Sequence, residues 1–415
     1  MLDTSSNPKN LLLVVVDCLR ADRCPADGSA GGLKAWPRLA DGTVFTQTVS
    51  SASWTPVCFA SLLSGQYSWL HGVRTFHGPA MAAGVPTLAT VLQQAGYSTH
   101  GFFTGPLIDV LGLNRGFDEY DHRERDQFVY GDFGRRFDDR MRAIFAQGRP
   151  WFTMLHLFEV HLPRQTNGLA AEEHSVEEYD VSWRQLDAWL AALMDKLPPN
   201  TIVALTGDHG ESIRRRSDRT MLGHMWRKTR ENLGLPPRPG DWRRHGYHVF
   251  DEVLRIPWAI CGPGVPRRVI GDQVRQVDIA PTLLDILGSP MPGTTSGRSV
   301  MPLIRGQAMD EAAAYVETGC ADPLRQWHGL RTGDWKYAEH PRYSENLDAE
   351  AMLFNLRTDP QEWHNVIRRQ PEQAIAMRRQ LDSLLAGERA EQPGQQISPD
   401  DLAKLDEQLR ALGYI

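Results

Sequence analysis

The sequence predicts an α/β fold: a mostly parallel sheet flanked by helices, with a smaller C-terminal α+β subdomain. Three observations lead there. Apolar, β-branched runs recur along the chain, starting with NLLLVVVD at Asn10–Asp17; helical patterns separate them; and polar, chemistry-bearing residues follow several runs directly. A continuous apolar strand is one buried on both faces, as in a parallel sheet covered by helices. At 415 residues the chain exceeds what one core usually fills, hence the second, smaller unit.

Taken in order, strands are expected at Asn10–Asp17, Tyr97–Thr104, Trp151–Leu157, Thr201–Leu205 and Ile256–Cys261. Between them, LATVLQQAG after Thr87 and the segment Val181–Leu197 carry apolar residues at helical spacing. Within Ser53–Gly65, proline at 56 favours the first helical turn, so Thr55 is the expected N-cap. Two stretches break the rhythm: 211–247, rich in Arg, Pro and Gly, and the polar segment 387–400. A final helix, Asp401–Leu412, ends at Gly413.

Composition narrows the function classes. With 41% hydrophobic and 23% charged residues, disordered and collagen-like chains are excluded, and a net charge of −6 argues against nucleic-acid binding. Five cysteines (18, 24, 58, 261, 320) form no CxxC pair, which fits a reducing compartment. The apolar run Leu11–Val16 is only six residues long, too short for a leader or a membrane span. A soluble, cytoplasmic protein without a membrane partner is expected; its oligomeric state is open, a homo-oligomer included.

In open parallel sheets the carboxyl ends of the strands carry the chemistry. Here Asp17 ends one strand, His156, Glu159 and His161 follow another, and Asp208-His209 follow a third. Two carboxylates and an imidazole suit a single divalent ion: Mn²⁺, Mg²⁺, Ca²⁺ or Zn²⁺. A hydroxyl at a helix start, Thr55, lies where anions bind, and a metal beside it would lower its pKa.

These segments resemble the sulfatase-like branch of the alkaline phosphatase superfamily. The resemblance rests on LLLVVVDCLRAD, WTPVCFASLLSG, AGYSTHGFFTGPLIDVLGLNRGFDEYD, HLFEVHLPR, ALTGDHGES and HGYHVFDEVLRIPWAICGPGV, continued by VDIAPTLLDILG, LFNLRTDPQEWHNV and LDEQLRALGYI in family order. It implies a metal-dependent hydrolase of a small anionic ester. A catalytic domain over 1–310 and a subdomain over 311–415, with a small antiparallel sheet and terminal helix, would follow. By position, Asp17, Asp208 and His209 match metal ligands, Thr55 the nucleophile, and His161 and His245 contacts to the oxyanion or leaving group.

The departures bear on the substrate. Sulfatases of this branch convert a Cys or Ser within C/S-x-P-x-R to formylglycine; here Thr55 holds that position, proline follows at once, and Phe59 stands in place of arginine. Threonine cannot become formylglycine, and Cys58 lacks the proline and arginine around it. Cys18 replaces the family's usual second aspartate, removing one ligand. FFTGP replaces a lysine-bearing segment, making Thr104 a candidate substrate contact. Threonine nucleophiles in the superfamily belong mainly to phosphoester- and phosphonate-cleaving or phospho-group-transferring enzymes. A phosphoester or phosphonoester hydrolase is therefore expected, with a sulfate ester hydrolase or a soluble phospho-group transferase as alternatives. His71 is read as packing, His156 as core or supporting, and His248 as a weaker substrate candidate than His245.

Residues 211–247 look like an insertion, with ten basic residues against four acidic ones. A lid that steers an anionic substrate would use Arg214, Arg215 and Arg216. Neutralising those three arginines is expected to raise KM for an anionic ester with little change in kcat; steady-state kinetics showing an unchanged KM would remove the lid.

Overall fold

A computed structural model describes residues 9–29, 31–75, 78–124, 126–162, 164–166, 169–170, 176–213, 245–293, 295–319, 326–340, 351–387 and 394–412. Its main sheet has eight strands: β1 (Asn10–Val16), β2 (Thr43–Val49), β3 (Ser98–Thr104), β4 (Glu119–Arg123), β5 (Trp151–Leu157), β8 (Thr201–Gly207), β9 (Arg255–Cys261) and β10 (Arg268–Arg275). The strand order is β10-β2-β9-β8-β1-β5-β3-β4; two-residue strands β6 (Gln165–Thr166) and β7 (Leu169–Ala170) pair apart from it.

β1 lies in the middle, parallel to β5 on one side and β8 on the other. All seven of its residues are buried, and side-chain alternation splits them between two cores. Leu11, Leu13 and Val15 join Val57, Leu62, Leu88 and Leu283 on one face. Leu12, Val14 and Val16 join Trp36, Phe133, Phe137 and Trp183 on the other. Helices on both faces thus explain why the run is apolar without interruption.

The sheet is mixed rather than purely parallel, because β9 runs antiparallel to both β2 and β8. The chain leaves β8 at its carboxyl end and enters β9 from that same end, with Thr206 opposite Trp258 and Val203 opposite Cys261. β4 and β10 are edge strands, and their polar sequences (EYDHR, RVIGDQVR) hid them from the apolar pattern. The predicted helices are present at Leu88–Gln94, Val176–Met194 and Pro399–Leu412.

A second, antiparallel sheet is formed by β11 (Ala314–Glu317), β12 (His328–Arg331), β13 (Trp335–Glu339) and β14 (Ala351–Asn355). It reaches the main domain in two ways. Glu317 exchanges backbone bonds with Ser51 and Ser53, just ahead of Thr55. Buried charges form the other joint: Asp251 accepts from Arg331 at 2.8 Å and from Lys336 at 2.8 Å, and Lys336 also pairs with Glu362. Burial alone would raise the Asp251 carboxyl, but Arg331 and Lys336 hold it well below the usual range.

Removing one partner of such a network leaves buried charge uncompensated. Lys336→Met is expected to cost about 3–5 kcal/mol, read from urea unfolding followed by tryptophan fluorescence. Because the folded-state pKa of Asp251 is depressed, its stabilising share is complete above about pH 4, the unfolded value, and is lost as pH falls below it.

Candidate active site

Register brings the site together. Val16 of β1 pairs with Leu157 of β5 and with Gly207 of β8, so Asp17 and Asp208 emerge side by side at the carboxyl edge. Val15 pairs with His156, which places that imidazole on the same face as Asp17, two residues on. Asp208 Oδ1 accepts from the backbone amides of Cys18 at 3.1 Å and His209 at 2.7 Å. Asp208 Oδ2 and Asp17 Oδ1 are buried and accept no hydrogen bond from any described residue.

Thr55 is the first residue of the helix Thr55–Ser64, and Trp54 is its N-cap, correcting the expectation that Thr55 caps it. The hydroxyl is therefore not used on helix amides. Thr55 Oγ1 donates to Asp17 Oδ2 at 3.2 Å and stands 3.1 Å from His209 Nε2. Trp54 is held in a slot: a Cβ on Gly246 would lie 2.2 Å from its ring, and one on Gly319 2.4 Å from its Cβ. Gln276 ties the preceding segment to the metal-side loop. Its Nε2 donates to Asp208 O at 2.6 Å while its Oε1 accepts from Ser51 Oγ at 2.9 Å.

The imidazoles are oriented by their other nitrogens. His209 Nδ1 lies 2.8 Å from Gly210 O, and His156 Nδ1 lies 3.2 Å from Thr104 O. A carbonyl can only accept, so each ring carries a proton on Nδ1 and, in its neutral form, presents its lone pair on Nε2. Neutral His156 then faces Asp17 Oδ2 with its lone pair at 3.4 Å, two acceptors with room for positive charge between them. Burial, and after it the charge of Asp17, pushes the Asp208 carboxyl up. Two carboxylates with partnerless oxygens in a dry site, beside Nε2 lone pairs, fit a divalent cation. Asp17, His156 and Asp208 present donor atoms mutually within 4.8 Å, as do Asp17, Cys18 and His209.

His161 and His245 face each other across 5.2 Å between ring centroids. His245 Nδ1 lies 3.2 Å from Glu211 Oε2, and Glu211 Oε1 accepts from the amides of Ser212 and His245. Burial would raise the Glu211 carboxyl, but His245 above all holds it below the usual range. Burial pushes His161 down to about 3, so its ring is neutral at neutral pH. Burial, with Asp17, Glu211 and Asp208 nearby, pushes the Cys18 thiol well up.

The structure thus gathers Asp17, Thr55, His161, Asp208, His209 and His245 in one buried cluster. His248 is not among them; its Nε2 lies 2.9 Å from Ser212 Oγ and its ring lies against Phe250. Thr104 contributes its carbonyl, which orients His156. Glu159 turns away into a two-bond pair with Arg123, at 2.8 and 3.0 Å. His71 is buried against Ser61 and the Val73 amide, a packing role. Cys58 donates to Ala52 O at 3.1 Å, and burial pushes its thiol up. Arg214 and Arg215 lie outside the described residues, as does Arg216.

Residues 9–289 match the family described as Sulfatase. The chain belongs to the sulfatase family. Residues 242–391 also match the family described as N-sulphoglucosamine sulphohydrolase, C-terminal. Arylsulfatase K of Canis lupus familiaris is 29% identical over 220 residues, covering 50% of this chain and 34% of the relative. Arylsulfatase K of Danio rerio is 33% identical over 194 residues, covering 44% and 31%. The matched stretches therefore span about a third of those relatives' length.

Among solved structures, a phosphonate monoester hydrolase from Silicibacter pomeroyi superposes with TM-score 0.68 at 18% identity, over 92% of this chain and 96% of that one. A 2-O glycosaminoglycan sulfatase does so with TM-score 0.67 at 17% identity, over 92% and 93%. Both likenesses establish the sulfatase fold, mixed sheet and C-terminal antiparallel sheet included. Enzymes of this family are divalent-metal hydrolases, in keeping with the donor groups described above.

Four residues of this sulfatase-family site escaped the sequence reading: His156 and Cys18 as donors, and Glu211 and Gln276 as positioning residues. Glu211 opens the stretch 211–247 that reads as an insertion, yet it is buried in the cluster beside His245. Gln276→Ala is expected to cost about 1–3 kcal/mol by leaving the buried Ser51 amide and hydroxyl without their acceptor. It should also lower kcat more than KM, as thermal unfolding and steady-state kinetics will show.

Proposed function

We propose that this chain cleaves a phosphoester or phosphonoester of a small anionic substrate, with Thr55 as the nucleophile. The position of Thr55 Oγ1, 3.2 Å from Asp17 Oδ2 and 3.1 Å from His209 Nε2 at the start of a helix, carries the proposal. Asp17, His156, Asp208 and His209 would hold the divalent ion. When bound, that ion lowers the hydroxyl pKa and offsets charge on the ester oxygens.

The chain's own groups supply the rest. Asp17 Oδ2 accepts the Thr55 hydroxyl proton's hydrogen bond and fixes the direction of attack. The Thr55 Oγ1–phosphorus bond forms as the hydroxyl proton leaves to solvent and the bond to the leaving oxygen breaks; His245, whose imidazole pKa Glu211 raises in spite of burial, gives that oxygen its proton. A formylglycine hydrate sheds its ester from a second hydroxyl on the same carbon, whereas a threonine ester has none. Water must then attack the covalent intermediate and return the hydroxyl. Phe59, edge-on to His156 at 4.7 Å between centroids, supplies no charge where the family's arginine would.

A sulfate ester is the second reading, favoured by the family match and by the arylsulfatase K relatives. Matched nitrophenyl phosphate, phosphodiester, phenylphosphonate and sulfate esters, assayed with Mn²⁺, separate the two. Phosphoryl or phosphonyl turnover is expected, falling on the order of 10³-fold or more in Thr55→Ala. Preferential sulfate turnover would move the chain to the second reading.

A further inference from the structure

We propose that Arg164 forms a subsite for a carboxylate on the leaving group, so that the substrate carries a second anionic group besides its ester. The inference rests on His245 serving the leaving oxygen, as proposed above, and concerns what lies beyond that residue. Four arginines are buried among the described residues, and three of them hold a carboxylate. Arg123 pairs with Glu159 at 2.8 Å, Arg331 with Asp251 at 2.8 Å and Arg275 with Asp278 at 2.6 Å. Arg164 is the exception: it is 1% exposed, and neither Nη1 nor Nη2 has a hydrogen-bond partner among the described residues. A guanidinium does not shed its proton inside a protein, so burial cannot neutralise it and an anion is needed.

The group is nevertheless fixed in place. Its Nε donates to Val160 O at 2.9 Å, and its Cζ lies 5.1 Å from the centre of the Tyr179 ring. Tyr179 is held in turn, donating to Cys18 O at 2.7 Å and accepting from the Arg20 amide at 2.9 Å. A fork anchored at Nε and stacked on a ring keeps its two Nη atoms as paired donors, which suit the two oxygens of a carboxylate.

Position relative to the chemistry tells which part of the substrate would reach it. Moving out from Thr55, Oγ1 stands 3.1 Å from His209 Nε2, the His209 and His245 rings lie 4.4 Å apart, and His245 Nδ1 lies 3.2 Å from Glu211 Oε2. Burial would raise the Glu211 carboxyl, and His245 first, then Arg164, hold it down, which sets the guanidinium near that carboxylate. Arg164 thus comes next in the line, away from Thr55 and past the acid for the leaving oxygen. Glu211 does not use up the guanidinium. Its Oε1 accepts from the amides of Ser212 at 2.9 Å and His245 at 3.2 Å, and its Oε2 faces His245 Nδ1. The subsite therefore uses none of the groups assigned to the metal, to attack or to proton transfer, and its charge is left for the ligand.

The test pairs the nitrophenyl ester that turns over, phosphoryl or sulfuryl, with its isomers carrying a ring carboxylate. The wild-type chain is expected to show a KM roughly 10–100-fold lower for a carboxylated isomer than for the plain ester, the size of a charge-assisted hydrogen-bonded pair. Arg164→Gln should bring the two esters to the same KM, and Arg164→Lys should restore only part of the difference, because an ammonium is a point charge and no fork. Calorimetric titration with the free carboxynitrophenols, which are those leaving groups, reads the subsite without turnover. Binding by the wild-type chain that Arg164→Gln loses supports the subsite even where Thr55→Ala stays active and the nucleophile reading falls. The wild-type preference between esters decides the matter if Arg164→Gln fails to fold. Equal KM for the plain ester and every carboxylated isomer, a preference that Arg164→Gln retains, or carboxynitrophenols that the wild-type chain does not bind would overturn the subsite and leave the proposed function standing.

Discussion

Two carboxylates buried side by side, with oxygens that no described residue bonds, set the terms for the rest of this molecule. Asp17 and Asp208 are forced together because Val16 and Gly207 are paired in a parallel ladder. Moving β1 by one residue would send its inward set to the wrong core and carry Asp17 off the site. Fold and site are therefore one constraint seen at two scales. The cost of keeping like charges in a dry pocket is what a divalent ion offsets, and the imidazoles are turned by carbonyls to present lone pairs to the same place.

Around that pair the structure spends its remaining hydrogen bonds on position. Gln276 and Ser50 both bond to the Asp208 carbonyl at 2.6 Å, and Gln276 also grips Ser51. The small C-terminal sheet, through Glu317, secures the strand-like approach to Thr55. Trp54, confined by Gly246 and Gly319, fixes the turn into the helix. The C-terminal sheet thus takes part in setting the place of Thr55.

Much of this was legible in the amino-acid order because burial leaves a local mark. NLLLVVVD, WFTMLHL and TIVALTG are strands covered on both sides, and such strands read as continuous apolar runs. The reversed direction of β9 left no such mark, since pairing direction depends on where the chain returns. His156 illustrates the limit: its alternation with Phe158 marks a strand face, but only the Val15 register shows that the face is the one bearing Asp17. Cys18 looked like a lost ligand because residue type was visible and its left-handed backbone was not. Glu211 and His245, 34 positions apart, meet only in three dimensions.

The central claim is that Thr55 becomes covalently bonded to the substrate's phosphorus. The direct measurement is mass spectrometry of the enzyme acid-quenched during turnover of an activated phosphate or phosphonate ester, with peptide mapping of the adduct. The account predicts a phosphoryl or phosphonyl group on the peptide containing Thr55, formed and discharged at rates compatible with turnover. An adduct on any other residue, or turnover with inversion at phosphorus and no adduct at all, would contradict it.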